Sequence, residues 1–464
     1  MSTLDVARLQ FAMTSIYHFF FVPVTIGLSL LTALLHTAWY RRRDEDYLRL
    51  TRFFGTLLVI NIAVGVVTGL VQEFQFGMDW SSYSRFVGDV FGAPLAVEGL
   101  AAFFLESTFL GLWLFGWGRL SPRVHLFTIW MVVLGAVLSA AFIMAANSWM
   151  QHPVGYQLVN GRAQLTNFWQ LLVNPVFLWG YTHVLLAALV TGCVLMLSVS
   201  AWHLLRKSDA DVFARTARLS LVILVPAALL AMFVGSELGV IEDRYQPMKI
   251  AASEAQWETC QPCSFSVFQI GGGNRDETPI KIIQVPHLLS LLATNSWNGQ
   301  VQGLNDVNAQ YQQQYGAGDY VPNVFIQYWS MRVMAYTAGL LFLLGLWGGW
   351  LLWRRRLDQS PWFLRLAIWA VVAPLLINTA GWMLTENGRQ PWIVQGLMRT
   401  SNGVSASVNT ATVVTSVLVF FLLYAVLAVV AWGLMVRYAR RGLEPVEPVP
   451  SGVAPESRVR AMTY

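Results

Sequence analysis

Apolar residues run through this chain in nine long blocks separated by short polar stretches. The blocks fall at roughly 14–39, 54–77, 94–116, 124–147, 176–203, 218–240, 325–352, 362–384 and 409–437, and a membrane-crossing helix needs about 20 such residues. Each block therefore predicts one crossing. The pattern is that of an all-α integral membrane protein, a nine-helix bundle with one long external loop. Its organisation reads as helices 1–6 in 1–240, the loop in 241–324, helices 7–9 in 325–440 and a disordered tail in 441–464. Pro, Glu and Ser enrich that tail.

Composition agrees. The chain is 56% hydrophobic and 12% charged, about half the charge of a soluble domain. Its net charge of +5 comes from arginines clustered between the blocks, so it calls for no nucleic-acid partner. Those arginines predict the topology. Arg41, Arg42, Arg43, Arg49 and Arg52 lie in one connection, Arg119 and Arg123 in another. Arg206, Lys207, Arg215 and Arg218 follow, then Arg354, Arg355, Arg356 and Arg365, and finally Arg437, Arg440 and Arg441. Every second connection is basic. The positive-inside rule puts these in the cytoplasm, with the N-terminus and the 241–324 loop outside. No basic segment precedes the first block, so that block reads as a retained helix rather than a signal peptide.

Ionisable side chains inside such blocks are functional suspects, because lipid makes them costly. His183 and Met334 lie about seven and nine residues inside the external ends of their blocks, a depth match within about 3 Å. His and Met are the axial pair of a low-spin heme; a Met in an apolar helix is otherwise ordinary packing. His18 lies near the external end of the first block, among Tyr17, Phe19, Phe20 and Phe21. Glu98 and Glu106 share the third block, about 12 Å of rise and roughly 80° of rotation apart. Such a pair suits a proton route ending at a site, or a hydrogen-bonded structural pair. Glu386 and Arg389 end the eighth block, as an axial ligand and a propionate partner or as a helix cap with a surface ion pair. Cys260 and Cys263, in the external loop, are a disulfide candidate. Gly271-Gly272-Gly273-Asn274 lacks the strand–helix context of a phosphate loop and reads as a turn.

Several motifs together resemble subunit I of the cytochrome bd-type quinol oxidases over nearly the whole chain, in the short quinol-loop form. They are Ala7-Arg8-Leu9-Gln10-Phe11 leading to His18, the stretch from Glu98-Gly99 to Glu106-Ser107-Thr108-Phe109, Trp329-Ser330-Met331-Arg332-Val333-Met334, and Gly388-Arg389-Gln390-Pro391-Trp392. The resemblance implies three hemes. Low-spin heme b takes His183 and Met334, with Arg332 near it. His18 is assigned to heme d and Glu386 to high-spin heme b, two positions that can be exchanged within the family. Trp382 and Arg389 complete the cofactor set. Glu98 matches a carboxylate beside the oxygen-reducing heme and Glu106 a residue of the cytoplasmic proton path. Lys249 and Glu254 match residues tied to quinol oxidation, although five positions, about 140° of helix, separate them. A homologous subunit II, membrane lipid, and room for small single-span accessory subunits are also implied, in a bacterial plasma membrane.

The function so implied is a quinol:oxygen oxidoreductase that oxidises quinol outside and reduces O2 with cytoplasmic protons, without pumping. A heme-b-only variant oxidase has the same axial residues. A di-heme electron carrier needs no Glu98/Glu106 pair. A proton-coupled transporter predicts inverted repeats and broken helices, and no convincing repeat is present.

Overall fold

The computed structural model describes residues 2–445. Nine helices within them are long and apolar enough to cross a membrane, as the block pattern predicts. Span 1 is Thr3–Arg42, span 2 Glu45–Met78, span 3 Ser81–Phe115, span 4 Pro122–Gln151 and span 5 Pro175–Arg206. Span 6 is Ala210–Tyr245, span 7 Val324–Trp353, span 8 Pro361–Gly388 and span 9 Thr410–Ala439. Residues 446–464, most of the predicted disordered tail, lie outside the described residues.

Two spans start earlier than their apolar blocks. Span 1 begins at Thr3, where Ser2 and Asp5 form a reciprocal cap: the Ser2 amide donates to Asp5 Oδ2 at 3.0 Å and the Asp5 amide to Ser2 Oγ at 3.2 Å. His18 thus ends a full helical segment, Thr3–His18, instead of opening the crossing. The expected start of span 1 is corrected: about 22 Å of helix precede His18. Pro23 lacks an N–H and cannot bond the Phe19 carbonyl, so the helix breaks at 19–21 and resumes at Val22. Asn61 of span 2 reaches into the break, donating to the Phe21 carbonyl at 2.9 Å and Thr25 Oγ1 at 2.8 Å. Span 3 begins at Ser81, so most of the stretch 78–93 is helix rather than loop. Pro94 perturbs it, and Glu98–Phe103 widen into a π-helical turn, a distortion common at functional sites.

Span 5 is the most buried crossing and spans 3 and 9 the most exposed. Spans 1 and 5 touch backbone to backbone at Gly27 and Gly192; a Cβ on Gly27 would lie 2.1 Å from the Ala188 carbonyl oxygen. At the arginine-rich end, Arg215 pairs with Asp44 and, at 2.8 Å, with Asp46, while Arg49 meets Asp209 at 3.1 Å. The connections after spans 1 and 5 therefore share one face, as the alternating charge predicts.

The 241–324 stretch is largely structured. Span 6 continues into it to Tyr245, followed by the helix Pro247–Ser253 and the antiparallel hairpin Phe265–Ile270 with Ile280–Val285. Helices Leu288–Thr294 and Leu304–Tyr315 lead to span 7. Gly271 and Gly272 turn the hairpin at φ 81° and 78°, where side chains are strained. Cys260 and Cys263 are paired as a disulfide, Cα atoms 5.2 Å apart, within the usual range.

Candidate functional site

Each candidate histidine has Nδ1 tied and Nε2 without a hydrogen-bond partner among the described residues. His18 Nδ1 bonds the Thr68 hydroxyl of span 2 at 2.9 Å. His183 Nδ1 bonds the Ala231 carbonyl of span 6 at 3.0 Å. Such a tether fixes the tautomer and the ring plane and presents Nε2 as a ligand. A glycine lies against each ring. A Cβ on Gly69 would come 3.2 Å from His18 Cε1, and one on Gly235 2.9 Å from His183 Cε1. A Cβ on Gly381 would come 3.2 Å from Met334 Sδ. Glycines thus let these three of the four predicted ligands pack directly on neighbouring helix backbone, and the three are only half-buried in the chain.

Trp382 stands between the two histidine regions. Its ring meets Phe19, the neighbour of His18, at 5.0 Å. It also packs in a cluster with Tyr181 and Val184, which flank His183.

Glu386 accepts from Asn147 Nδ2 at 2.9 Å on one oxygen and from Arg389 on the other. The ion pair foreseen as an alternative to cofactor binding therefore exists. It does not exhaust Arg389, whose Nε and Nη1 are buried without a hydrogen-bond partner among the described residues. Two orphaned guanidinium donors beside half-buried ligands match the carboxylates of a heme edge, since buried donors seek acceptors. No group of three or more His, Cys, Asp or Glu side chains converges among the described residues; axial ligation asks only one or two per iron.

Glu98 and Glu106 both face span 4. Glu98 Oε1 accepts from Ser139 Oγ at 2.6 Å. Glu106 abuts Gly135, one turn away on span 4, where a Cβ would lie 2.9 Å from the Glu106 Cβ. The π turn between the two carboxyls alters the rotation that a regular helix predicts.

In the external loop, Lys249 and Glu254 look to different partners. Lys249, 1% exposed, donates to Glu242 at 2.8 Å and Gln151 at 2.7 Å. Burial pushes its ammonium pKa down and Glu242 pulls it back up. Glu254 takes both Nη groups of Arg332, at 3.0 and 2.7 Å. Burial pushes its carboxyl up, and the guanidinium holds it back. Arg332 also donates to the Ser253 and Ser266 carbonyls, at 2.6 and 2.7 Å. The Nη donors of Arg332 thus clamp the loop, while its Nε is buried without a hydrogen-bond partner among the described residues. Gly388 packs on Lys249, where a Cβ would meet Lys249 Cγ at 2.4 Å, so the loop and the Glu386–Arg389 segment adjoin.

Sequence reasoning missed Thr68, Ala231, Asn147, Ser139, Glu242 and Gln151. Glu242 carried a signal, a carboxylate at the end of an apolar block; the others are ordinary span residues until their partners are known.

The family model described as cytochrome bd terminal oxidase subunit I matches residues 6–443. Among curated proteins, the chain is 43% identical over 445 residues to the Bacillus subtilis cytochrome bd ubiquinol oxidase subunit 1, covering 96% of this chain and 95% of that one. It is 35% identical to the Escherichia coli cytochrome bd-II ubiquinol oxidase subunit 1, covering 95% and 96%. Among solved structures, it is similar to the bd oxidase from Geobacillus thermodenitrificans, with a TM-score of 0.85, 28% identity, and coverage of 95% of this chain and 99% of that chain.

Proposed function

The chain belongs to the cytochrome bd terminal oxidase subunit I family, and from that premise we propose which of its residues carry which part of the family's reaction. It is the catalytic subunit of a terminal oxidase that oxidises quinol and reduces O2 to water, building a proton gradient without pumping. It uses heme and works with a partner subunit. When bound, heme supplies iron that takes up and passes on single electrons and, where an axial position is open, the centre at which oxygen is reduced.

His183 and Met334 hold the low-spin heme b. His18 holds heme d and Glu386 the high-spin heme b. Trp382 fills the space between the sites, and Arg389 receives a heme carboxylate on its two open nitrogens. Residues 241–324 form the quinol domain between the six-helix and three-helix parts. There Arg332 and Glu254 hold the loop down, and the Lys249–Glu242 and Glu254–Arg332 pairs supply charged groups able to take up the protons of quinol. These protons leave on the outside, where the N-terminus also lies. Protons for water come from the cytoplasm past Glu106, and Glu98, oriented by Ser139, passes them on at the site. The partner is a homologous subunit II, to which small single-span subunits are added in the plasma membrane.

The tethered Nδ1 and open Nε2 of both His18 and His183 carry this reading. Its test is the complete complex in sealed vesicles supplied with quinol. Oxygen uptake should acidify the quinol side by about one proton per electron, because each quinol releases two protons with its two electrons. Oxygen uptake without acidification of the quinol side would refute the assigned sidedness.

A further inference from the structure

Span 1 carries a polar face below its break. Thr25, Ser29, Thr32 and His36 recur at helical spacing, which aligns them on one side. Ser29, Thr32 and His36 are wholly buried. Gly27, on the other side, packs on span 5, so the polar face looks away from it.

Two atoms on this face lack a hydrogen-bond partner among the described residues: Thr32 Oγ1 and His36 Nε2. Thr32 departs from its neighbours. Thr37, Thr51 and Thr191 each return the hydroxyl to the carbonyl four residues earlier, at 2.7, 2.6 and 2.8 Å. The tautomer of His36 follows from its surroundings. Trp113 Nε1 donates to His36 Nδ1 at 3.1 Å, so the neutral ring carries its proton on Nε2. That N–H is a buried donor, and its residue lies one helical turn, about 6 Å of rise, below Thr32. Buried polar groups left without a protein partner are commonly satisfied by an internal water.

The ladder reaches the depth of Glu106. His36 and Trp113 touch, which sets spans 1 and 3 level at that point. Ser29 precedes His36 by seven residues and Glu106 precedes Trp113 by seven. Both spans run in the same direction, so Ser29 and Glu106 lie at the same level, about 10 Å further toward the outside. Seven residues also return each to nearly the same face of its helix. At the lower end, His125 of span 4 stands with its ring 5.0 Å from that of His36 and donates to the Trp113 carbonyl at 2.7 Å. Trp117 stacks on His36 and carries the Arg52 guanidinium on its other contact.

We propose that His36 and Thr32 hold a buried water that, with Ser29, feeds cytoplasmic protons to Glu106. The inference rests on the assignment of Glu106 above. His36 is a positioning residue: its Nδ1 is occupied by an indole N–H that cannot pass a proton on, while its Nε2–H orients the water. The water, the Thr32 hydroxyl and the Ser29 hydroxyl, which rests on the Ile26 carbonyl at 3.0 Å and must turn from it during passage, each take one proton and release one, so the chain is unchanged after each passage and needs no redox agent.

The test is oxidation of the fully reduced complex by O2, with a pH-indicator dye reporting proton uptake and the heme spectrum reporting assembly. Thr32→Val keeps the shape and deletes the hydroxyl. It should slow uptake at least about tenfold with heme bands intact, and Thr32→Ser should restore the rate. Unchanged uptake in Thr32→Val overturns the proposal. Should Thr32→Val assemble without heme, Ser29→Ala takes its place, and normal uptake there overturns the proposal equally. Glu106→Gln run alongside separates the two readings: normal uptake in that variant defeats the Glu106 assignment itself, and the ladder's destination with it.

Discussion

In a His183→Ala complex the low-spin heme b is lost and quinol-driven oxygen uptake falls at least about a hundredfold, while the remaining hemes still bind. Alanine removes the free Nε2 and, with it, the Nδ1 tether to Ala231 that aims the ring. Met334 alone cannot replace the pair, since a thioether is a weak ligand without an imidazole opposite it. Gly235, against which the ring packs, offers no second donor. The low-spin band of the reduced-minus-oxidised spectrum reports the outcome; a band of normal height would place that iron on other residues.

Glu106→Gln should slow oxygen reduction at least about a hundredfold and leave every heme band in place. Glutamine matches the carboxyl in size, which matters because Gly135 packs directly on the Glu106 backbone and Cβ. It accepts and donates hydrogen bonds but cannot release a proton. Mixing the fully reduced variant with O2 isolates this step from quinol oxidation. Loss of all heme instead would make Glu106 a structural residue.

How far such residues can be read in the sequence depends on the kind of signal. Nine apolar blocks became nine crossings, because lipid demands long uninterrupted runs. The depth of His183 and Met334 was legible for the same reason: their spans begin within a residue of the predicted ends, at Pro175 and Val324. The start of span 1 was misplaced because Asp5, Arg8 and Gln10 mask it, although Ser2 and Asp5 carried a capping signal. Arg85, Asp89 and Pro94 hid the start of span 3 in the same way. The π turn at Glu98–Phe103 has no composition of its own and depends on packing against span 4. The roles of Arg332 and Lys249 needed the tertiary structure, since their partners Glu254 and Glu242 are identified by contact and not by spacing.

The most direct test of the account is the dithionite-reduced minus air-oxidised absorption spectrum of the purified complex, repeated under carbon monoxide. The assignment of His183 and Met334 to a six-coordinate heme, and of His18 and Glu386 to ligand-accessible ones, predicts a low-spin b band insensitive to carbon monoxide. It also predicts a high-spin b band and a separate long-wavelength chlorin band, at least one of which shifts. Heme b bands alone, with no carbon monoxide shift, would contradict it and leave an electron carrier without an oxygen site.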